Sequence, residues 1–242
     1  MKALILSAGL GTRLRPLTLS TPKPLLPLAG VPLLEYHYKS LAEFGVTEFL
    51  VNTHYLSEQI VAFNQNYSEL HPNIKITTTF EPELLGSAGT FTKNRDFFEG
   101  EEQLLVVYGD NLTNINYEFF VNQHLKSRGL VTIACYWEAF PESKGIIEFD
   151  KDGKIGRFIE KPKTNEVSTN YANAGIYLFK RDVFNFLDFN RPIPYDFGFH
   201  VFPELLKQGQ NMYVYPMTET LLDIGTIENF VKAEEIVKKI FV

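Results

Sequence analysis

The chain has 242 residues, 45% of them apolar and 21% charged, with 29 acidic side chains against 23 basic ones and a net charge of −6. This is the composition of a globular protein large enough to bury a substantial core, as one α/β domain or two small ones. The acidic balance excludes the broad basic face that nucleic-acid binding needs, no apolar run reaches the roughly 18 residues of a membrane span, and the single cysteine, Cys135, excludes an internal disulfide.

The apolar run after Lys2 is shorter than the roughly 7–15 residues of a signal-peptide core and turns directly into Gly and Arg, so a cytoplasmic location is expected. Ala3–Ser7 is an unbroken apolar run of the kind found in a strand buried on both faces. Pro22, Pro24, Pro27 and Pro32 predict an extended segment. Apolar residues at 33, 34, 38, 41, 42 and 44 then predict a helix closed by Gly45. Glu48–Asn52 reads as a second strand, Ser57 as the cap of a helix over Glu58–Tyr67, and Lys75–Phe80 as a Thr-rich strand. Gly86–Gly89 is expected to precede a helix running to Phe98, and Gln103–Tyr108 to form the next strand, ending at Gly109-Asp110. This alternation predicts parallel βα units.

The second half is richer in strand signals. Leu130–Trp137 is a β-rich run whose Cys135 reads as a buried structural thiol. Gly145–Phe149 and Ile155–Ile159 flank the hairpin signal Asp152-Gly153. Ala174–Phe179 and Met212–Tyr215 read as strands, Phe199–Gln208 as a helix, and Thr226 as the cap of a final helix with apolar residues at 227, 230, 231, 233, 236, 237 and 240. With no repeat, low-complexity tract or linker, the two halves are expected to share one continuous sheet.

The chemistry gathers in the first loop. Ser7-Ala8-Gly9-Leu10-Gly11-Thr12 follows the first strand, Arg13, Arg15 and Lys23 follow the loop, and no acid occurs before Glu35. A basic, glycine-containing loop on an acidic protein points to a polyanion, phosphate first of all. A strand, a tight turn and solvated bases would be the bland alternative. Leu14 replaces the third glycine of a dinucleotide-binding G-x-G-x-x-G, and the chain has no Gly-Lys-Ser/Thr of a Walker loop.

Instead, Gly9-Leu-Gly-Thr-Arg-Leu-Arg-Pro-Leu-Thr18, followed by Pro22-Lys-Pro-Leu25, resembles the signature loop of the sugar-1-phosphate nucleotidyltransferases. Five more stretches are similar to that family's motifs in its order: Leu85–Gly89, Tyr108–Asp110, Phe158–Pro162, Asn173–Tyr177 and Leu222–Thr226. The resemblance implies a three-layer α/β fold of the Rossmann-like nucleotide-diphospho-sugar transferase kind, with a mostly parallel mixed sheet and a β-rich sugar-binding half. It implies one domain over 1–242, with a nucleotide half at 1–115 and a sugar-phosphate half at 116–242, and no carboxy-terminal β-helix domain.

It also implies an enzyme that joins an NTP and a sugar-1-phosphate into an NDP-sugar and pyrophosphate. Phosphoryl-type transfer needs alignment and neutralisation of crowded negative charge more than covalent help. By the same resemblance, Leu6, Ala8, Gly9, Gly11, Thr12, Arg13, Glu83, Leu85, Gly86 and Ser87 bind the nucleotide. Arg13, whose planar fork suits pyrophosphate, Lys23 near the α-phosphate, Asp110 and Lys161 are the catalytic residues. Asp110 and Asp223 hold Mg²⁺, each expected at the carboxyl end of a parallel strand. Gly145, Glu160, Lys161, Asn173 and Gly175 bind the sugar phosphate. Arg15 is left as a surface charge.

Glu83-Leu-Leu-Gly-Ser-Ala-Gly89 is closest to the guanylyl-type members, which favours GTP and a mannose- or heptose-type sugar. A uridylyl- or thymidylyltransferase on another sugar-1-phosphate stays open. Leu221 and Lys144 stand where the family often has aromatic residues and leave the sugar undecided. A glycosyltransferase would carry Asp-x-Asp where this chain has Gly109-Asp-Asn-Leu112, and a non-catalytic sensor of NDP-sugar would show degenerate loop or metal residues, which are not seen. A homo-oligomer is compatible with everything above.

Overall fold

The computed structural model describes residues 1–163 and 166–240. Strand β1 (Lys2–Leu6) carries the fully buried Ala3, Leu4 and Ile5. The proline-rich stretch after it is not extended throughout. It folds into 3-10 turns at Thr12–Leu14, Leu17–Leu19 and Lys23–Leu25, then into a short hairpin of β2 (Pro27–Leu28) and β3 (Val31–Pro32). Ala29 and Gly30, both at positive φ, supply the two-residue turn whose twist matches paired strands.

Helix α1 (Leu33–Glu43) stops at Gly45, whose φ of 98° is open to glycine at little cost. β4 (Glu48–Thr53), α2 (Ser57–Leu70) and β5 (Lys75–Phe80) follow. Ser57 is the first helical residue of α2 rather than its cap; Leu56, at φ 48°, precedes it and offers no side-chain cap. α3 (Ser87–Lys93) is shorter than its sequence suggests, because a 3-10 turn, Arg95–Phe98, takes over.

β6 (Gln103–Tyr108), β7 (Asn111–Thr113) and α4 (Tyr117–Ser127) come next. α4 carries no strong sequence signal, because its buried stripe is only Tyr117, Phe120 and the polar His124; Asn116 caps it by accepting from the Phe119 amide. The remaining elements are β8 (Val131–Trp137), β9 (Gly145–Phe149), β10 (Ile155–Glu160), β11 (Tyr171–Lys180), α5 (Phe202–Lys207), β12 (Met212–Pro216), β13 (Leu221–Asp223) and α6 (Ile227–Ile240). The helix expected over Phe199–Gln208 is a wide π-type turn, Phe197–Val201, that runs into α5. Thr226 does cap α6, its hydroxyl accepting from the Asn229 amide at 3.2 Å.

Packing divides the chain into two compact units. The first comprises 1–84, 107–114 and the chain from Glu219 onward. Here β1, β4 and β5 run parallel in register, Leu4 opposite Leu50 and Leu50 opposite Thr77. A core of Leu28, Leu33, Tyr36, Leu112, Ile224, Ala233 and Val237 joins α1 and α6 to the short strands. β13 pairs antiparallel with β7, which sets Asp223 opposite Asn111.

The second unit comprises 85–106 and 115–218. β8, β9, β10 and β11 are antiparallel, and β12 runs parallel to β8. The β9–β10 turn closes as its Asp-Gly signal implies, with Gly153 at φ 79° and the Asp150 carboxylate accepting from the Asp152 and Lys154 amides. Phe91, Phe179, Phe197 and Phe202 form its aromatic centre, with neighbouring ring centroids 5.1–6.4 Å apart. The chain is α/β with a largely parallel central sheet.

Candidate active site

In the first unit, three glycines allow polypeptide segments to approach closely. Gly109 donates to the Leu6 carbonyl at 2.9 Å, and a Cβ on it would lie 2.6 Å from the Ser7 hydroxyl oxygen. The loop after β1 and the turn before Asp110 are therefore held side by side. Gly11, at φ 63°, packs against Thr18 and the Lys23 stem; a Cβ there would meet them at 2.9 and 3.3 Å, and the Thr18 hydroxyl donates to the Gly11 carbonyl at 2.8 Å. Gly9 is different, being exposed with nothing within 4 Å of a Cβ built on it. Protein packing does not require Gly9, which leaves open access to the backbone there.

Lys23 sits on its 3-10 turn with only 8% of its surface exposed and donates to Asp110 Oδ2 at 2.8 Å. Burial pushes the Asp110 carboxyl up, and the adjacent Lys23 ammonium more than reverses this, leaving it below the usual carboxylate range. Asp110 lies just past β6, as the sequence implied. Asp223 does not end a parallel strand; it is the last residue of β13, antiparallel to β7, and Ile224 donates its amide to the Asp110 carbonyl at 3.0 Å. Gly225 completes the cluster. A Cβ there would stand 2.7 Å from Asp223 Oδ1 and 3.2 Å from a terminal nitrogen of Arg13. The structure thus brings Arg13, Lys23, Asp110 and Asp223 together. Leu6 ends β1, Ala8 is buried, and exposed Thr12 opens the first 3-10 turn.

Behind the loop is a buried polar relay that sequence reasoning missed. The Ser7 amide donates to Asn52 Oδ1 at 2.6 Å, and Asn52 Nδ2 donates to Glu81 Oε1 at 2.9 Å. Both side chains are at least 96% buried, so the bonds are needed to offset lost hydration. The relay ties the start of the loop after β1 to the residue two before Glu83, which is itself exposed. Asn52 and Glu81, polar residues at or beside the ends of apolar runs, were the available signal.

In the second unit, the Leu85–Gly89 stretch is clamped by the chain at Tyr195–Phe197. Tyr195 donates to Leu85, and its carbonyl accepts from Ala88 and Gly89, each at 2.8–2.9 Å. Asp196 accepts from the Ser87 amide and hydroxyl at 3.1 and 3.2 Å. These first-turn amides of α3 are therefore already engaged. Gly86, at φ 81°, is required because a Cβ would overlap the Tyr195 backbone at 2.5–2.8 Å.

Glu160 lies opposite Gly145 across β9–β10. A Cβ on Gly145 would come within 2.6 Å of its carboxylate, and one on Gly198, a residue missed from sequence, would also collide with it. Burial raises the Glu160 pKa; the Lys161 and Lys144 charges lower it and Asp196 raises it, with a net rise. Lys161 is exposed, at φ 50°, with its amide donating to the Lys144 carbonyl at 2.9 Å. Asn173 uses one bond at each end of its amide within β11, donating to the Tyr177 hydroxyl at 2.7 Å and accepting from the Gly175 amide at 2.9 Å. This local bridge spans the register shift of β11 against β8 and includes Gly175, at φ 73°. The Gly175 amide is therefore directed to Asn173.

A family model described as nucleotidyl transferase matches residues 2–240. UTP–glucose-1-phosphate uridylyltransferase of Synechocystis is 30% identical over 96% of the chain, and mannose-1-phosphate guanyltransferase beta-A of Xenopus laevis is 32% identical over 95%. The chain spans 62% of the length of each of these relatives. A solved Bacillus anthracis structure, described as a glucose-1-phosphate thymidylyltransferase, superposes with a TM-score of 0.85 at 25% identity, covering 99% of this chain and 96% of that one. The chain belongs to the nucleotidyl transferase family, and its ordered motifs resemble those of the sugar-1-phosphate nucleotidyltransferases.

Proposed function

We propose that the chain transfers a nucleotidyl group from an NTP to a sugar-1-phosphate, releasing pyrophosphate. The observation that carries this reading is the convergence of Arg13, Lys23, Asp110 and Asp223 around Gly11, Gly109 and Gly225. An oxygen of the sugar phosphate attacks the α-phosphorus. The bond to the bridging oxygen breaks, and pyrophosphate departs with its electron pair. Lys23 neutralises charge growing on the α-phosphate, while Arg13 holds the departing pyrophosphate in a two-pronged grip. Lys161 takes the sugar phosphate, and the walled Glu160 carboxylate accepts from sugar hydroxyls. The backbone around Gly9, open to approach, faces the triphosphate.

Asp110 and Asp223 fit Mg²⁺. Among the described residues no third His, Cys, Asp or Glu joins them as a cluster, which suits an ion that keeps water and phosphate oxygens as its other ligands. Asp110 already accommodates one positive charge, that of Lys23. When bound, Mg²⁺ would lessen repulsion between the two phosphorylated substrates and help to orient them.

GTP is the favoured nucleotide. Guanine presents N–H donors along its recognition edge, and the motif beginning at exposed Glu83 supplies an acidic acceptor next to Leu84, which cannot hydrogen-bond. A mannose-type sugar phosphate follows from the same motif resemblance. The Synechocystis relative's name supports a second reading, uridylyl transfer. Pyrophosphate release over a panel of NTPs and sugar-1-phosphates with Mg²⁺ tests both. GTP with a mannose-type phosphate is expected to turn over fastest; a UTP optimum would select the second reading, and no turnover with any pair would overturn both.

A further inference from the structure

The wide turn Phe197–Val201 treats its aromatic residues unequally. Phe197 and Phe202 are fully buried, but Phe199 is 52% exposed. Exposing an aromatic ring forgoes the stabilisation of burial, so its place calls for a local explanation. The ring lies beneath the Lys161 ammonium, whose Nζ is 5.6 Å from the ring centroid. Gly198 precedes it and makes room for the Glu160 carboxylate. The turn is anchored on both sides: Asp196 accepts from Ser87 through its carboxylate, its amide donates to His200 Nδ1 at 3.0 Å, and Phe197 donates to the Ser87 hydroxyl at 3.0 Å. One short segment therefore walls the carboxylate of Glu160 and puts an aromatic face against the next residue's ammonium.

Lys161 needs such support. Its long side chain has several rotatable bonds and is solvent-exposed, while its backbone is held in the left-handed region by the bond to Lys144. The fixed backbone aims the stem, and the negative face of an aromatic ring attracts the ammonium without neutralising it. A carboxylate in that place would pair with Lys161 and compete with an incoming phosphate; a neutral ring keeps its charge available.

Resting on the proposed transfer reaction, we propose that Phe199 is the positioning residue of the sugar-phosphate subsite, its ring holding the Lys161 ammonium ready for the phosphate of the sugar-1-phosphate. Half-exposed Phe199 can be replaced with little effect on folding. Phe199→Ala is expected to raise KM for the sugar-1-phosphate about 3- to 10-fold, with KM for the NTP and the melting temperature unchanged. Phe199→Tyr should restore KM to within about twofold, because it keeps the ring face, whereas Phe199→Leu, with similar apolar bulk, should not. Unchanged kinetics in Phe199→Ala, equal rises in both KM values, or rescue by Leu as complete as by Tyr would overturn the proposal. Calorimetric titration of mannose-1-phosphate and glucose-1-phosphate into wild type and Phe199→Ala separates this from failure of the transfer reading. Binding weakened by the Ala change, without wild-type turnover, would overturn the reaction and leave the positioning role standing; no ring-dependent binding would overturn the role as well.

Discussion

At the scale of single residues, absence of a side chain governs much of the candidate chemistry. Gly225 has an ordinary backbone conformation, so alanine there meets no backbone penalty, yet its methyl group would displace Asp223 Oδ1 or Arg13. Gly225→Ala is therefore expected to keep its melting temperature but to lose at least about tenfold in turnover, as misplaced reacting groups do. Wild-type kinetics in a folded variant would show that the Arg13–Asp223 arrangement does not matter. Lys23 is the counterpart: a nearly buried cation whose ammonium is hydrogen-bonded and ion-paired to Asp110. Arg13, Lys23, Asp110 and Asp223 were legible in the sequence because each stands in a short motif of fixed order. Gly225 and Gly198 were not singled out, because what they prevent is a collision with residues far away in the chain or across a turn.

At the scale of elements, local signals gave the strands and helices that form from local patterns. Unbroken apolar runs revealed β1, β4 and β6, and helical spacing revealed α6. Pairing of β7 with β13 joins three-residue strands from the middle and the last part of the chain, which no local pattern encodes, and that pairing is why Asp223 lies on an antiparallel strand. The π-type turn was hidden for another reason: the stretch Phe199–Gln208 reads as one helix, while the Asp196–Ser87 and Tyr195–Leu85 contacts set the wide turn that opens it. That clamp makes Gly86 structural. A Cβ would overlap the Tyr195 backbone, which cannot swing aside as a side chain can, and φ is already 81°. Gly86→Ala is expected to cost about 3 kcal/mol or more in urea unfolding. A loss below about 1 kcal/mol would mean that the clamp yields easily.

At the scale of the whole molecule, an acidic chain carries a basic loop beside two aspartates, a charge distribution suited to phosphates balanced by a cation. Acid sensitivity has a separate source. His124 is buried on α4, where its Nε2–H donates to Gln103 at 2.8 Å and its Nδ1 accepts from the Thr132 hydroxyl at 2.7 Å, a neutral tautomer set by its partners. Burial, followed by the Lys180 charge, lowers its pKa to about 4. The unfolded chain then binds the extra proton between about pH 6.5 and 4, so this contribution is full above that window and is lost as pH falls through it. The loss is roughly 3 kcal/mol at its limit. His124→Gln should therefore lose less stability than wild type between pH 7 and 4.5 in urea titrations; parallel losses would contradict a neutral buried imidazole. The most direct test of the reaction itself is pyrophosphate release by wild type and Asp110→Asn side by side, with Mg²⁺, GTP and mannose-1-phosphate. Turnover by the wild type and at least a hundredfold loss in a variant with an unchanged circular-dichroism spectrum is the expected result; near-wild-type release by Asp110→Asn would contradict it.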